Sequence, residues 1–191
     1  MFWQIQLALL LIAGGAQVFL RSFSVRVARI IYWTAASFSF LWAAHTSYLQ
    51  YLTWKMSSLG QLLLPPHESI FYFIQYVGWR FFSPVLVLFL FSLLFIFAAK
   101  SMNKKGGERF FEKDEIYIAA LTIVNAGYPQ VLVFFVSFAV IFLLINIFFT
   151  AIRGGSSRIS PYYLWIPAAV IAIIISELWL SHMPWWNMFI I

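Results

Sequence analysis

The sequence predicts an all-α fold, a polytopic bundle of transmembrane helices that forms one membrane domain. Hydrophobic residues make up 63% of the 191-residue chain and charged residues only 9%, whereas soluble domains carry roughly 25% charged residues. The apolar runs are continuous, as in VLVLFLFSLLFIFAA over residues 85–99. A transmembrane barrel would instead alternate apolar and polar residues along strands of about ten residues. We therefore expect helices, which satisfy the backbone hydrogen bonds within each segment in lipid.

Segment lengths predict about six crossings. A helix needs about 20 apolar residues to cross a hydrocarbon core about 30 Å thick. The apolar run over residues 116–152 is too long for one crossing, and we divide it at Gly127-Tyr128-Pro129 because proline removes a helical hydrogen bond. We expect the first span to be a mature helix rather than a signal peptide, since no basic segment precedes it. The predicted spans cover residues 2–20, 30–54, 82–99, 116–126, 130–152 and 162–180.

Two segments between these spans are expected to lie at the membrane surface. Residues 57–78 contain two short apolar halves separated by Pro65 and Pro66. Neither half is long enough to cross a bilayer alone, so we expect an interfacial or re-entrant segment. Residues 100–115 are rich in Lys, Arg, Asp and Glu and are expected to form a charged cytoplasmic loop.

The positions of the basic residues predict the orientation of the chain. With six crossings, ten of the twelve Lys and Arg residues fall on one side, and only Lys55 and Arg80 fall on the other. The side rich in Lys and Arg is cytoplasmic. We therefore expect a multi-pass protein of the plasma (inner) membrane with both termini outside. This distribution also accounts for the formal net charge of +6 without a nucleic-acid partner.

The charged segment GGERFFEKDE, residues 106–115, contains the candidate site. Asp114 and Glu115 directly precede the apolar stretch IYIAAL, and the dipole of a helix starting there favours acidic side chains. A solvated loop with an acidic helix start is the simplest interpretation, because charge clusters usually face water. The alternative is half of a reaction centre at the membrane surface.

The order of segments from Val85 to Leu180 resembles the core of the prepilin peptidases, a family of intramembrane aspartic peptidases. Glu115-Ile116-Tyr117 takes the place of the family's D-[VI]-[KY] sequence, at the end of its G-x-G-D motif. Gly127-Tyr128-Pro129 stands at the spacing of the family's G-W-P-like break. Arg158-Ile159-Ser160-Pro161-Tyr162 corresponds to its basic loop and G-P-[FY] turn. The resemblance covers about half of the chain and implies six spans with a cytoplasmic catalytic site.

The resemblance implies candidate catalytic residues and also shows where the chain departs from the family. Prepilin peptidases use two aspartates, and Phe19 occupies the position that matches the first. The second corresponds to Asp114 or Glu115, with Glu112 as a further nearby carboxylate. Aspartic proteolysis needs two carboxylates that share a proton, yet Asp114 is the only aspartate in the chain. The resemblance therefore implies a peptidase scaffold without its aspartate pair.

Three functions remain open at this point. We favour a non-catalytic relative of the peptidases, a scaffold or partner of other membrane subunits in a pilus, secretion or DNA-uptake assembly. The alternatives are an active peptidase that cleaves prepilin-like leader peptides and a small transporter or channel subunit. All three place the protein in the lipid bilayer, and none requires a cofactor or a metal. The chain has no cysteines, which excludes disulfides and thiolate metal sites.

Overall fold

The structure, a computed structural model, describes residues 2–19, 24–107, 110–153 and 161–186. These residues form helices and turns, with no strand among them. The all-α fold is thereby confirmed. Within the described ranges, four helical segments are long and apolar enough to cross a membrane: Val25–Met56, Ile70–Gly106, Gln130–Ile152 and Pro161–His182.

The first two helices of the chain lie close to the first two predicted spans. Helix α1 covers Phe2–Phe19 and helix α2 covers Val25–Met56. The Ser24 hydroxyl accepts a hydrogen bond from the Val27 N–H and caps the start of α2, which satisfies one of the free N–H groups there. A single short turn of helix, α3 (Ser58–Gln61), follows α2.

The helix that corresponds to the third predicted span begins earlier than predicted. Helix α4 (Ile70–Val77) continues through a π-helical turn (Gly78–Phe82) into helix α5 (Ser83–Gly106). Residues 70–78, which we assigned to the surface segment, therefore belong to one helical segment with α5. Pro84 lies in the first turn of α5, where it lacks an N–H and crowds the carbonyl one turn before it. The wider π-helical turn accommodates this defect.

The same helix also ends later than predicted. Residues 100–106, expected in a loop, are helical, and Gly107 ends α5 with a φ of 66°. Lys100, Lys104 and Lys105 therefore lie on the last turns of α5, where cations interact favourably with the helix dipole. The connection to the next helix is correspondingly shorter than the loop 100–115 that we expected.

A short helix, α6 (Glu115–Ala126), lies at the centre of the bundle. All of its 12 residues are buried, and it packs against α2, α5 and helix α8 (Trp165–Leu178). A helix of this length extends about 18 Å, which is well short of a hydrocarbon core about 30 Å thick. Helix α6 is therefore enclosed on its sides by neighbouring helices that extend beyond its end.

Contacts at the helix ends define two ends of the bundle. The start of α6 contacts the start of α8 through Glu115 and Trp165, and it contacts the last part of α5 through Tyr117 and Lys100. We call this the basic end. The opposite end, where α6 stops at Ala126, is called the far end.

Helix α7 (Gln130–Arg153) starts at the far end and packs against α8. Gln130 at the start of α7 donates a hydrogen bond to Glu177 at the end of α8, so the two helices run in opposite directions. Helix α1 packs closely on α8 at Gly14, where a Cβ atom would lie 3.2 Å from the Ile166 side chain.

Candidate functional site

Glu115, one of the predicted site residues, is the buried first residue of α6. Its side chain is only 1% exposed. Oε1 accepts a 3.0 Å hydrogen bond from the Trp165 indole N–H, and Oε2 accepts one of 3.0 Å from the Glu112 backbone N–H. The second bond reaches back three residues, as in a capping box. Both carboxyl oxygens therefore hold the start of α6 in place.

The surroundings of Glu115 favour its protonated form. Burial raises the pKa of the Glu115 carboxyl, because a charge is poorly solvated there. The hydrogen bonds from Trp165 and Glu112 act in the opposite direction, while the nearby carboxylates of Glu112 and Asp114 raise the pKa further. The result is a pKa above the usual value of 4.5.

Asp114 joins the start of α6 to the chain segment before α8. The Tyr162 hydroxyl donates a 2.9 Å hydrogen bond to Asp114 Oδ2. The carbonyl oxygen of Tyr162 in turn accepts a 3.0 Å hydrogen bond from the Gln17 amide near the end of α1. The basic end is thus held together by a chain of contacts from α1 through Tyr162 to α6.

Two cations at the basic end face a phenol ring rather than these carboxylates. Lys100 Nζ donates a 2.9 Å hydrogen bond to the Tyr117 hydroxyl. Lys100 and Arg29 both lie over the Tyr117 ring, at 5.1 and 5.3 Å from its centroid, within the range of cation–π attraction. Tyr117 therefore gathers positive charge from α2 and α5 around the first turn of α6.

The structure brings only part of the predicted site together. Asp114 and Glu115 are adjacent at the start of α6, and Glu112 contributes its backbone N–H while its own side chain is exposed. Phe19 is the last residue of α1, but its side chain lies outside the described residues. Among the residues that the structure describes, no group of three His, Asp or Glu side chains is arranged to hold a metal ion.

A cavity of about 410 Å³ lies at the far end, beyond the point where α6 stops. Five helices contribute to its walls because α6 is shorter than they are. Sequence reasoning missed it, although the glycine and proline after only 12 residues of α6 were visible. The polar or charged lining residues are Gln6, Ser39, Thr46, Arg80, Tyr128, Gln130 and Glu177, and the apolar lining includes Trp3, Trp42, Phe81, Val85 and Leu88.

Glu177 and Gln130 form a polar part of the cavity wall where α7 meets α8. Gln130 Nε2 donates a 3.1 Å hydrogen bond to Glu177 Oε1. Pro129 and Gly127, which end α6, are buried beside them.

Comparison of the chain with protein-family models, with curated proteins and with solved structures gave no match.

Proposed function

We propose that the protein is a six-pass scaffold of the plasma membrane, a non-catalytic partner of other membrane subunits in a pilus, secretion or DNA-uptake assembly. The single observation that carries the non-catalytic part is the bonding of Glu115. Both of its carboxyl oxygens accept hydrogen bonds from the protein itself. A general base must lie within hydrogen-bond reach of the water that it activates, and a side chain only 1% exposed offers no surface for such a water.

The arrangement of acids also supports a structural role for the basic end. In aspartic peptidases two carboxylates grip one water and share one proton. Here Asp114 and Glu115 are consecutive residues of one helix start, and Asp114 is engaged with Tyr162. The position that matches the family's first aspartate is Phe19, which cannot ionise.

Cleavage of a prepilin-like leader peptide distinguishes the scaffold from the alternative, an active peptidase. The purified full chain and its Asp114→Asn variant are incubated in detergent with a fluorescent leader peptide. We expect no cleavage by either protein beyond the rate in buffer. Cleavage by the wild type that Asp114→Asn abolishes would establish the peptidase and end the scaffold proposal.

The partner half of the proposal is tested by purification in mild detergent from native membranes. We expect the protein to migrate as part of a larger complex with defined membrane subunits, and to do so equally in the Asp114→Asn variant. Recovery of the protein as a solitary monomer under several mild detergents would contradict it.

Six crossings are supported by the alternating direction of successive helices. The ends of α1 and α5 and the starts of α6 and α8 meet at the basic end, while the start of α7 meets the end of α8 at the far end. Six passes require that successive helices alternate in direction between the basic end and the far end, with the short helix α6 as one of them. The basic end would then be cytoplasmic, with both termini outside.

Cysteine labelling tests this topology directly, because the chain has no cysteines of its own. Lys104→Cys at the basic end and Leu59→Cys near the end of α2 are both at exposed positions. An impermeant maleimide added to intact cells should label Leu59→Cys and spare Lys104→Cys until the membrane is opened. The reverse pattern, or labelling of both, would refute the proposed orientation.

A transporter or channel remains the less favoured alternative. The polar cavity at the far end and the charged groups at the basic end are separated by the buried, largely apolar helix α6. A solute path would have to pass residues such as Ile118, Ala119 and Ala120, each at most 1% exposed. This separation favours a scaffold over a pore.

A further inference from the structure

The cavity at the far end exists because the central helix is too short to fill the bundle. Helix α6 ends at Ala126, and Gly127 leaves it with a φ of 76°. The surrounding helices continue, so about 410 Å³ remains open between them. This volume lies within the range of roughly 300–1,000 Å³ that is typical of small-ligand sites.

The cavity is lined by two opposite charges that do not neutralise each other. Arg80 from the π-helical turn and Glu177 from α8 both line it. Glu177 accepts a hydrogen bond from Gln130, and among the described residues no ion pair joins it to Arg80. Arg80 is exposed and Glu177 is half-buried, so a ligand that enters from outside the protein can reach both charges. Two separated charges of opposite sign are therefore suited to a ligand that carries both an anion and an ammonium group.

Gln6 provides an independent observation that points to a ligand. Its side chain is only 5% exposed and lines the cavity. Its amide forms no hydrogen bond with another described residue, and since neither amide atom is among the fully buried polar atoms that lack a partner, the amide is open to the cavity. Its amide nitrogen lies only 2.9 Å from where a Cβ of residue 127 would be, so Gln6 is packed against the end of α6 at the cavity wall.

We propose that this cavity binds a zwitterionic headgroup, with a phosphate at Arg80 and a primary ammonium group at Glu177. The Arg80 guanidinium is suited to a phosphate by its forked donors. The Gln6 amide would supply a further hydrogen bond inside the cavity. The apolar wall formed by Phe81, Val85 and Leu88 would accommodate the start of an acyl chain. This inference does not depend on whether the basic end acts as a scaffold or a peptidase.

Native mass spectrometry of the full chain in detergent tests the proposal with three probes. These are phosphatidylethanolamine, phosphatidylglycerol, which lacks the ammonium group, and soluble glycerophosphoethanolamine, which lacks acyl chains. We expect phosphatidylethanolamine to bind at least fivefold more tightly than phosphatidylglycerol. Binding of the soluble headgroup with similar affinity would identify a free solute as the source of the same chemistry. Equal affinity for the two lipids, or no binding of either ethanolamine probe, would overturn the proposal.

Variants with matched controls locate the binding. Arg80→Gln and Glu177→Gln should each weaken phosphatidylethanolamine binding about tenfold, and Glu177→Gln should leave phosphatidylglycerol binding unchanged. Lys55→Gln and Glu68→Gln remove exposed charges outside this cavity and should have no effect. If these controls weaken binding as much as the cavity variants, the cavity is not the site.

Gln6→Leu separates a ligand role from a structural one. Leucine has a similar volume and removes an amide that has no hydrogen-bond partner among the described residues, so a purely structural role predicts an unchanged or higher melting temperature and unchanged lipid binding. The proposal predicts the same melting temperature with phosphatidylethanolamine binding weakened about fivefold. Unchanged binding in this variant would remove Gln6 from the site and contradict the proposal.

Discussion

The Trp165 indole N–H donates a 3.0 Å hydrogen bond to Glu115 Oε1 and thereby fixes the start of α6 against the start of α8. Trp165 also stacks on Phe138 of α7, with ring centroids 4.1 Å apart. Glu115 Oε2 accepts the Glu112 backbone N–H. One buried carboxyl group therefore connects the central helix, the connection before it and two of the helices around it.

Replacement of Glu115 by alanine should destabilise the protein. The Trp165 N–H would remain buried without an acceptor, which costs about 1–3 kcal/mol, and the capping bond to Glu112 would be lost. Glu115→Gln retains one oxygen as an acceptor, but its NH2 group faces the other N–H donor and leaves it unpaired, so this change should also cost about 1–3 kcal/mol. The measurement is the free energy of unfolding in mixed micelles. Combining Glu115→Ala with Trp165→Phe should cost less than the sum of the two single changes, and strict additivity would argue against the contact.

The raised pKa of Glu115 predicts a specific pH dependence of stability. Its folded pKa lies above the unfolded value near 4.5, so the folded state binds the proton more tightly. The Glu115 contribution is therefore most favourable below pH 4.5 and is lost as the pH rises towards the folded pKa. Glu115→Gln removes this titration. The stability difference between wild type and Glu115→Gln should shift against the wild type as the pH rises from 4 to 7, as measured by melting temperature.

If the difference in melting temperature between the wild type and Glu115→Gln did not change over that pH range, Glu115 would titrate alike in the folded and unfolded protein. Measuring the difference between two variants isolates Glu115, because the other carboxyl groups are common to both. Glu112→Gln provides a second test, since that side chain is exposed and acts on Glu115 through its charge. Because the Glu112 carboxylate raises the pKa of Glu115, Glu112→Gln should weaken the pH dependence, whereas Glu68→Gln, at another exposed position, should leave it unchanged.

The break in the long apolar run could be predicted from the sequence because its cause is local. Proline cannot donate a hydrogen bond, and α6 does end at Ala126 with α7 beginning at Gln130. The span predicted over residues 30–54 likewise lies within α2, Val25–Met56. Composition and individual helix-breaking residues were sufficient to predict these features.

The end of α5 was missed because charge was taken as a sign of a loop. Lysine is a good helix former, and the true stop is the pair Gly106-Gly107, where Gly107 has a positive φ. The start of the same segment was missed because the apolar residues 70–77 were judged too few to cross a bilayer alone. The π-helical turn Gly78–Phe82 instead joins them to α5. In both cases a local feature of the sequence suggested that the helix stops, but the helix continues through it.

The partners of the candidate acids could not be predicted from spacing. Trp165 and Tyr162 lie about 50 residues after Glu115 and Asp114, and only packing of α8 against α6 brings them together. The cavity has the same origin, since it depends on the relative lengths of five helices around α6. Sequence patterns give the length of each helix but not its neighbours.

Replacement of Tyr162 by phenylalanine should weaken the basic end without unfolding the bundle. The change removes the hydroxyl that donates to Asp114 at 2.9 Å, and a hydrogen bond to a charged group contributes about 1.5–3 kcal/mol. The neighbouring Tyr163, 62% exposed, offers the matched control. Tyr163→Phe should change the free energy of unfolding by less than about 0.5 kcal/mol. Equal effects of the two changes would show that the Asp114 contact contributes nothing to stability.

Gly127 should be difficult to replace, for a backbone reason. Its φ of 76° and ψ of 168° fall in a region that is essentially restricted to glycine and costs other residues about 1–3 kcal/mol. An added Cβ would also lie 2.9 Å from the Gln6 amide nitrogen.

Gly127→Ala is therefore expected to lower the free energy of unfolding by about 1–3 kcal/mol. Gly15→Ala is the control, because a Cβ there meets nothing within 4 Å and alanine favours a helix interior by roughly 0.5–1 kcal/mol. Gly15→Ala should be neutral or stabilising. Adding Gln6→Ala to Gly127→Ala should recover little, since the backbone and not the flexible side chain sets the cost. Full recovery in that double variant would assign the loss to crowding instead and would show that the backbone at Gly127 tolerates a side chain.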